Sequence, residues 1–324
     1  MSRFPRRRKI DPAAGRVPVV LFIHKRSWHL RRVLQGIRAY RPSRLFIFAD
    51  GWAKGDSREK RACQTARRLV KQEVDWPCRC VLRCSSDKMG LKQSVEAGLR
   101  QVFRQAPEAI VLEDDCVASL KFFQFCEKHL HGYRMNPEVM SISGNCFVDP
   151  AVSIPGGAYL SRYPHCWGWA TWRRAWRKYR GRVPARDLQR ILSRQKFPFR
   201  EKLHWSRVIS QLGRGQMSSW AYFWVWAHWQ HGARAITPAV NLVTNIGFDA
   251  TARHTRELAK PLLVRMGNGQ EMAHGVVISA EKSEPLDRSV FQSHYQRMSG
   301  RRNWWVKMTD RLKALLNAQG QWVT

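Results

Sequence analysis

The sequence predicts an α/β protein with an open, mostly parallel sheet flanked by helices. Short apolar runs rich in β-branched and aromatic residues alternate with amphipathic helical patterns through the first half of the chain. Charged residues directly follow several of these runs, as they do at the ligand-binding carboxyl edge of parallel sheets. The second half is rich in Trp and has fewer strand signals. These observations favour strands joined by right-handed helical crossovers.

The first strand is predicted over residues 17–23, a β-branched apolar run too short for a helix. Ser27 is expected to cap a helix over residues 28–40, where apolar residues recur at helical spacing and Pro42 follows. The next segments are a strand at 44–49, a helix at 57–72, a weaker strand at 80–84, a helix at 91–104 and a strand at 109–112.

The last clear strand signal covers residues 139–144. Residues 164–172 then read as a Trp-rich loop, and residues 218–229 as a helix capped by Ser218 or Ser219. This helix is apolar almost all the way round, which predicts that it is buried. The stretch after about Pro261 is basic and weakly patterned.

The chain is strongly basic, with 57 Lys and Arg against 24 Asp and Glu and a net charge of +33. Such a charge attracts nucleic acid, nucleotide phosphates or anionic lipid. No apolar run reaches the roughly 18 residues of a spanning helix, and the basic start lacks the apolar core of a signal peptide, so we expect a cytoplasmic protein. Cys78, Cys80 and Cys84 lack the usual C-x2-C spacing of zinc sites, and free thiols are expected.

Glu113, Asp114 and Asp115 are the most informative motif, because three consecutive carboxylates end a buried-type strand in this basic chain. Like charges this close repel each other unless a positive group lies among them. Hard oxygen ligands at the carboxyl edge of a sheet suit Mg²⁺ or Mn²⁺ bound to phosphates. Arg26 and Asp50 follow two other strands, so all five residues are expected at one crevice. A solvated strand end is the alternative interpretation.

The chain resembles the nucleotide-sugar-dependent glycosyltransferases of the GT-A fold, most closely the N-acetylglucosaminyltransferase I type and its bacterial relatives. That family carries a Glu-Asp-Asp triplet at the end of a buried strand, as this chain does at residues 113–115. The resemblance covers about residues 17–180. Its further matching segments are residues 22–34, 40–43, 48–51, 99–103 and 122–123, and residues 241–249 and 253–255 resemble the bacterial relatives.

The resemblance implies a role for each of the five residues of the predicted crevice. Asp115 would bind the metal ion, Mn²⁺ or Mg²⁺, while Glu113 and Asp114 would hold the sugar and the ribose. Arg26 would face the diphosphate and Asp50 would contact the base. A divalent cation and an Arg can stabilise the charge that develops on a departing nucleoside diphosphate.

Residues 166–172 are similar to the family's Gly-Leu-Gly-Trp loop, which packs on the donor sugar and helps to form the acceptor site. By that resemblance Gly168 allows close backbone approach and Trp169 offers a flat apolar face to the sugar. Plain core packing is an equal alternative for any one of these tryptophans. In many enzymes of this fold a histidine near the end of the domain completes the metal shell, and His254 is the candidate here.

The general base is where the chain departs from the family. An inverting transfer needs a group to take the acceptor proton, normally a carboxylate. The animal enzymes supply it from a Trp-Asp-Asp-Trp segment, but the equivalent Ser-Trp-Ala-Tyr at residues 219–222 has no carboxylate. Asp249 is the substitute that we favour. Asp187 and Glu201 are weaker candidates, expected in exposed helices.

The sequence thus predicts a metal-dependent, inverting glycosyltransferase that moves a sugar from a nucleotide donor, a UDP sugar by resemblance, to a saccharide or lipid-linked acceptor. Two alternatives remain: a nucleic-acid-binding protein with basic and aromatic surface, and a nucleotidyltransferase, although residues 24–28 contain no glycine-rich loop. The expected organisation is a basic tail (1–16), a nucleotide-sugar-binding half (17–150), an acceptor-binding half (151–262) and a basic C-terminal extension (263–324).

Basic residues cluster outside the predicted site. For the predicted glycosyltransferase no nucleic acid partner is expected. One cluster lies at residues 3–9 and another at residues 173–182, while Trp304 and Trp305 lie among further basic residues. Each basic residue near an anionic membrane contributes about 1 kcal/mol to binding. We therefore expect peripheral attachment to the inner face of a bacterial membrane, with a merely solvated basic surface as the alternative.

Overall fold

Strands and helices alternate regularly through the first half of the chain. The computed structural model describes residues 16–217, 219–247 and 276–296. The elements of this half are β1 (Val19–Ile23), α1 (Ser27–Tyr40), β2 (Arg44–Ala49), α2 (Ser57–Glu73), β3 (Arg79–Cys84), α3 (Leu91–Gln105) and β4 (Glu108–Glu113). All lie within a few residues of the predicted segments, because each strand is a short apolar run and each helix has one apolar face.

The second half is less regular and contains more short strands. Its elements begin with β5 (Cys116–Ala118), α4 (Leu120–Gly132), β6 (Val139–Ser143), β7 (Ala158–Ser161), β8 (Trp169–Trp172), α5 (Arg173–Trp176), α6 (Ala185–Ser193) and α7 (Phe199–Gly213). They continue with α8 (Trp220–Gln230), β9 (Arg234–Pro238), β10 (Val243–Asn245), β11 (Val277–Ile278), α9 (Glu284–Val290) and a π-helical segment, Phe291–Gln296.

One large sheet organises the molecule. Among the described residues it has nine strands in the order β11-β7-β9-β6-β8-β4-β1-β2-β3. β1 pairs in parallel with β2 and β4, and β6 pairs in parallel with β9. β8 is antiparallel to both β4 and β6, and β7 is antiparallel to β9. The predicted α/β fold with a mostly parallel sheet is confirmed, with antiparallel strands added in its second half.

Helices cover both faces of the sheet. The chain steps from β1 to β2 to β3 in one direction through α1 and α2 and then returns to β4 through α3. Right-handed crossovers therefore place α1 and α2 on one face and α3 on the other. Consistent with this, α1 contacts α2 and α4, whereas α3 contacts α8. No helix in the described part of the chain is long and apolar enough to cross a membrane.

Two predicted helix caps are not formed. α1 begins at Ser27 itself, and Arg26 occupies the capping position without a side-chain hydrogen bond. Ser219 occupies the capping position of α8, again without such a bond, and Ser218 lies outside the described residues. Burial of the apolar faces stabilises these helices instead, since a cap contributes only about 1 kcal/mol. The prediction that α8 is buried is confirmed, with Trp220, Trp224 and Trp229 all under 5% exposed.

Residues 166–172, predicted as a loop, are only partly a loop. Trp169–Trp172 forms β8, which fills the place between β4 and β6 and is buried along its whole length. This inserted strand makes the sheet mixed. The prediction failed because four residues with two tryptophans have no period that distinguishes a buried strand from a packed loop.

A second hydrophobic core lies beside the large sheet. It is rich in aromatic side chains and includes Tyr163, Trp205 and Trp226. Leu286 and Phe291, from the described part of the predicted C-terminal extension, belong to the same core. Residues 276–296 are therefore part of this second core, and β11 pairs with β7.

Candidate functional site

The carboxyl ends of β1, β2 and β4 meet at one edge of the sheet. In the parallel register Ile23 lies opposite Ala49, and Phe22 lies opposite Glu113. The residues that follow these strands must therefore lie close together, which brings the segment 24–26, Asp50 and the acidic triplet to the same edge.

Arg26 is the positive group that lies against the acidic triplet. Its Nη1 donates to Oδ2 of Asp115 over 2.9 Å, and both side chains are largely buried, at 17% and 15% exposure. A partly buried ion pair gains more from Coulomb attraction than an exposed one. The guanidinium has five N–H donors in a rigid fork, a geometry that suits carboxylate and phosphate oxygens.

The other two carboxylates of the triplet lie in a less favourable electrostatic environment. Oδ2 of Asp114 accepts a hydrogen bond from the backbone N–H of His24 over 3.0 Å. Burial and the neighbouring charge of Asp115 nevertheless raise the pKa of Asp114 to about 7. The same two causes, in the same order, raise the pKa of Glu113 well above its usual value. Arg26 alone therefore does not compensate three negative charges at this edge.

Asp50 is bonded within the protein. Its Oδ1 accepts from the backbone N–H groups of Gly51 and Met89, each over 2.8 Å, and its Oδ2 accepts from Gly90 over 3.0 Å. The carboxylate thereby joins the loop before α3 to the end of β2. A ligand contact at Asp50 would have to share these oxygens. An adjoining cavity of about 220 Å³ is bordered by Asp50 and Arg83.

Glu59 binds two lysines on the basic side of this edge, and no sequence pattern predicts this role. Its Oε1 accepts from Lys25 and Lys88, each over 2.8 Å, and its Oε2 accepts from the backbone N–H of Ala53. Burial alone would raise the pKa of Glu59, but these hydrogen bonds lower it below the usual range. The two lysine ammonium groups are thus held near the crevice by one buried carboxylate.

Gly247 was also not predicted, and it lies directly on the ion pair. β10 pairs with β5, and the N–H of Ile246 donates to the backbone oxygen of Asp115 over 2.9 Å. A Cβ atom at Gly247 would lie 2.2 Å from Oδ2 of Asp115 and 2.9 Å from Nη1 of Arg26. Only a residue without a side chain fits there without moving the pair. Asp249 and His254, the predicted base and metal ligand, lie outside the described residues.

Trp169 does not present a free face to the crevice. Its indole is 1% exposed and packs on Trp220, Trp224 and Trp176 at ring-centroid distances of 5.2, 5.7 and 6.0 Å. The expectation that it packs on a sugar is therefore not met in this structure, and core packing describes it better. Trp169 packs in the core because β8 is buried between β4 and β6.

Gly168 has its expected tight environment, but the close neighbour belongs to the protein. Its φ is +70°, in the left-handed region that favours glycine. A Cβ atom there would lie 2.7 Å from Cγ2 of Val243, and its carbonyl accepts from Gly144 over 2.8 Å. Gly168 thus joins β8 to the end of β6, and the half-buried Trp167 beside it is the more accessible indole of this segment.

Neither weaker candidate for the base lies at the crevice as an accessible carboxylate. Asp187 pairs with Arg190 on the surface of α6. Glu201 was expected to be exposed, but it is 2% exposed and accepts a hydrogen bond from Tyr163 in the second core. The prediction of exposure failed because the apolar partners of α7 are distant in sequence.

A divalent cation fits the donor chemistry of this edge. Among the described residues, no group of three or more His, Cys, Asp or Glu side chains is placed to share an ion. Asp115 uses Oδ2 for Arg26, and its Oδ1 is approached by the thiol of Cys116 at 3.5 Å, a weak contact. One carboxylate oxygen is enough for Mg²⁺ or Mn²⁺, which commonly take their other ligands from phosphates and water.

Comparisons with known proteins found only distant similarity, and only to solved structures. No protein-family model matches this chain, and no curated protein sequence matches it. Among solved structures, a 4-diphosphocytidyl-2C-methyl-D-erythritol synthase from Anaerococcus prevotii is 9% identical, with a TM-score of 0.32, over 60% of this chain and 85% of its own. A UDP-glucose pyrophosphorylase complexed with UDP-glucose is 11% identical, with a TM-score of 0.35, over 68% of this chain and 90% of its own.

A third structure is described as a glucose-1-phosphate thymidylyltransferase from Bacillus anthracis in complex with a sucrose. It is 9% identical, with a TM-score of 0.36, and the match covers 79% of this chain and 99% of its own. None of these three is named as an N-acetylglucosaminyltransferase. Similarity at this level does not identify a reaction or a substrate.

Proposed function

We propose that this chain is a transferase that binds a nucleotide sugar at the carboxyl edge of β1, β2 and β4 with the help of Mn²⁺ or Mg²⁺. The observation that carries the proposal is the Arg26–Asp115 ion pair at the end of a buried strand, next to two further carboxylates. A merely solvated strand end would leave these side chains in water, whereas both members of the pair are largely buried.

The proposed roles follow from the contacts of each side chain. Arg26 faces the diphosphate, and Asp115 holds its guanidinium at this edge of the sheet. Glu113 and Asp114 supply carboxyl oxygens to hydroxyls of the sugar and the ribose. Asp115 and, outside the described residues, His254 would hold the divalent cation. When bound, that cation would supply positive charge to the departing nucleoside diphosphate.

The acceptor is proposed to be a saccharide or a lipid-linked saccharide, and the transfer to be inverting. Residues 219–222 have no carboxylate where the sequence of the animal family has its base. Asp249 remains the proposed base, because it follows Gly247 by two residues in the sequence and Gly247 lies against Asp115.

The test uses thermal shifts of the full chain with UDP-glucose and UDP-N-acetylglucosamine, with Mn²⁺ or with a chelator. A ligand that binds the native state raises the melting temperature by mass action. We expect a Mn²⁺-dependent shift in the native chain and its loss in Arg26→Gln and Asp115→Asn. Asp75→Asn is the matched control, since Asp75 pairs with Arg38 on the exposed surface. No Mn²⁺-dependent shift with either donor would contradict the proposal.

A product assay separates sugar transfer from nucleotidyl transfer, which uses the same kind of site. The chain is incubated either with a UDP sugar and Mn²⁺ or with UTP, a sugar 1-phosphate and Mg²⁺. Release of UDP from the first mixture, in which water takes up the sugar in place of the acceptor, supports the proposal. Release of pyrophosphate from the second mixture alone would assign the site to a nucleotidyltransferase. Thermal shifts with oligonucleotides only would favour the nucleic-acid alternative.

We also propose that the basic surface attaches the protein to an anionic membrane. Lys178, Arg180 and Arg182 are at least partly exposed on the segment that follows α5. Arg174 does not belong to this surface, because its guanidinium donates to the backbone oxygens of Arg134, Tyr133 and Val139. The basic N-terminal cluster and Trp304 and Trp305 lie outside the described residues.

A further inference from the structure

A second cavity lies along the outer side of α3. It has a volume of about 480 Å³ and lies between α3 and the segment that runs from α5 to Gly181. Its lining consists mostly of basic and aromatic side chains: Glu96, Arg100, Phe103, Arg104, Arg173, Trp176, Arg177, Tyr179 and Gly181. This volume is within the usual range of about 300–1,000 Å³ for small-molecule sites.

Four arginines line this cavity from two chain segments. Arg100 and Arg104 are four residues apart on α3 and therefore lie on the same helix face. Arg173 and Arg177 have the same spacing across α5 and its end. The two pairs border one concave space, so their positive charges converge on it.

The guanidinium groups are largely unused by the protein itself. Only Arg173 has a side-chain hydrogen bond, from its Nε to the backbone oxygen of Ala106 over 3.3 Å. The side chains of Arg100, Arg104 and Arg177 make no hydrogen bond or ion pair with another described residue. Four like charges around one cavity repel each other, and Glu96 is the one carboxylate in its lining.

The one acidic residue of the cavity is already bound. Oε1 of Glu96 accepts from the hydroxyl of Tyr179 over 2.8 Å and lies 3.9 Å from Nζ of Lys92. Lys92 in turn donates to the backbone oxygen of Gly181 over 2.6 Å. Glu96 therefore fixes the wall of the cavity, and a single carboxylate leaves the four arginines with an excess of positive charge.

Aromatic side chains also border the cavity. Tyr179 is partly exposed, and its ring stacks at 4.3 Å, with planes 6° apart, on Trp176, which is buried, as is Phe103. Aromatic faces suit the C–H surfaces of a sugar ring, and arginine forks suit phosphate oxygens. The combination distinguishes this cavity from a solvated run of basic residues, which has neither a concave shape nor a rigid apolar wall.

We propose that this cavity is a binding site for a phosphorylated saccharide, with the phosphate held by Arg100, Arg104, Arg173 and Arg177 and the sugar against Tyr179. The site is separate from the proposed donor site. Arg173 donates its backbone N–H to the backbone oxygen of Pro107, just before the first residue of β4. The acidic triplet begins at the last residue of β4, at the opposite end of the strand. Six strand residues span about 17–20 Å. The proposal does not depend on the proposed function.

The test measures binding of glucose 1-phosphate and inorganic pyrophosphate to the full chain by titration calorimetry. We expect both to bind and the dissociation constants to rise about tenfold or more in the variant carrying Arg100→Gln and Arg104→Gln, because two charge-assisted hydrogen bonds are lost. The matched control carries Arg68→Gln and Lys71→Gln, an equal loss of charge on exposed positions of α2. Its constants should change less than about twofold, since distant exposed charges are screened by salt.

Two results would overturn the proposal. One is an equal weakening in both double variants, which would mean that only overall charge matters. The other is a loss of binding in Arg26→Gln with no change in the Arg100→Gln/Arg104→Gln variant, which would assign these anions to the donor edge. Because all four substituted residues are exposed, unchanged melting temperatures should show that each variant is folded.

A further experiment distinguishes a free phosphorylated saccharide from a lipid phosphate as the ligand. Phosphatidylcholine vesicles with and without phosphatidylglycerol are sedimented with the native chain and both double variants. Glucose 1-phosphate binding that is sensitive to Arg100→Gln/Arg104→Gln, with equal sedimentation of the two double variants, indicates a free phosphorylated saccharide. Sensitivity only in the phosphatidylglycerol arm would show that the cavity holds a lipid phosphate without a sugar and would overturn the saccharide proposal.

Discussion

Gly247 controls the space around the Arg26–Asp115 ion pair. A methyl group there would lie 2.2 Å from a carboxylate oxygen of Asp115, so the carboxylate or β10 must move. We expect Gly247→Ala to abolish the Mn²⁺-dependent thermal shift with UDP sugars and to lower any transfer rate by about 100-fold, since displacements of about 1 Å have such effects. The measurements are thermal shift and UDP release.

Gly132→Ala is the matched control for this substitution. Gly132 lies at the end of α4, and a Cβ atom there would have no neighbour within 4 Å. This variant should bind and react like the native chain. If Gly247→Ala also behaved like the native chain, the ion pair would not belong to the binding site.

Single residues were predictable where a topological rule applied and not elsewhere. Arg26 and Asp115 could be expected at one edge, because both follow parallel strands. Glu59 lies in the first turns of a strongly polar helix, and its two lysine partners come from different loops. Gly247 meets residues more than 130 positions earlier in the chain. A local sequence pattern cannot predict contacts between residues so far apart in the chain.

At the scale of elements, α7 is joined to the sheet by a buried carboxylate. Glu201 accepts from the hydroxyl of Tyr163, which lies just after β7, and burial raises the pKa of Glu201 to about 7. A raised carboxyl pKa means that the folded state favours the neutral form. The stability that this carboxyl adds in its neutral form is complete below about pH 4.5 and is lost as the pH rises through about 7. The free energy of unfolding changes by roughly 3 kcal/mol across this range.

Glu201→Gln should therefore remove this part of the pH dependence. A glutamine can still accept the tyrosine hydroxyl but has no charge to bury, so the variant should gain stability relative to the native chain between pH 5 and about pH 8. Urea unfolding across that range measures it. Glu138→Gln, at an exposed position, is the control and should follow the native profile. Parallel profiles for native chain and Glu201→Gln would mean that this carboxyl is not buried in solution.

Elements of the first half were predictable because each one shows its own period. β1 and the interiors of β2 and β4 are apolar runs, and α1 and α3 each have a single apolar face. β7, β8 and β9 have four or five residues each, and β11 has two. Such strands are stabilised by the sheet that they join and not by their own sequence, so the mixed part of the sheet could not be seen in advance.

For the whole molecule, the net charge of +33 can be related to particular surfaces of the fold. Some arginines of the 173–182 cluster are structural: Arg174 binds three backbone oxygens, and Arg173 binds one and lines the cavity beside α3. Arg180 and Arg182 are exposed and make no side-chain hydrogen bond or ion pair with another described residue. These two are the described residues of this cluster best suited to a flat anionic surface.

The native chain should therefore sediment with vesicles that contain phosphatidylglycerol, and not with phosphatidylcholine alone. Binding should weaken strongly as salt rises from 0.1 M to 1 M, because the screening length falls from about 10 Å to about 3 Å. Arg180→Gln with Arg182→Gln should lower the partition constant by about 10- to 30-fold, at roughly 1 kcal/mol for each charge. Arg68→Gln with Lys71→Gln removes the same charge from α2 and should have a smaller effect. Equal effects of the two double variants would mean that the membrane senses net charge alone, and sedimentation independent of lipid charge would exclude an electrostatic attachment.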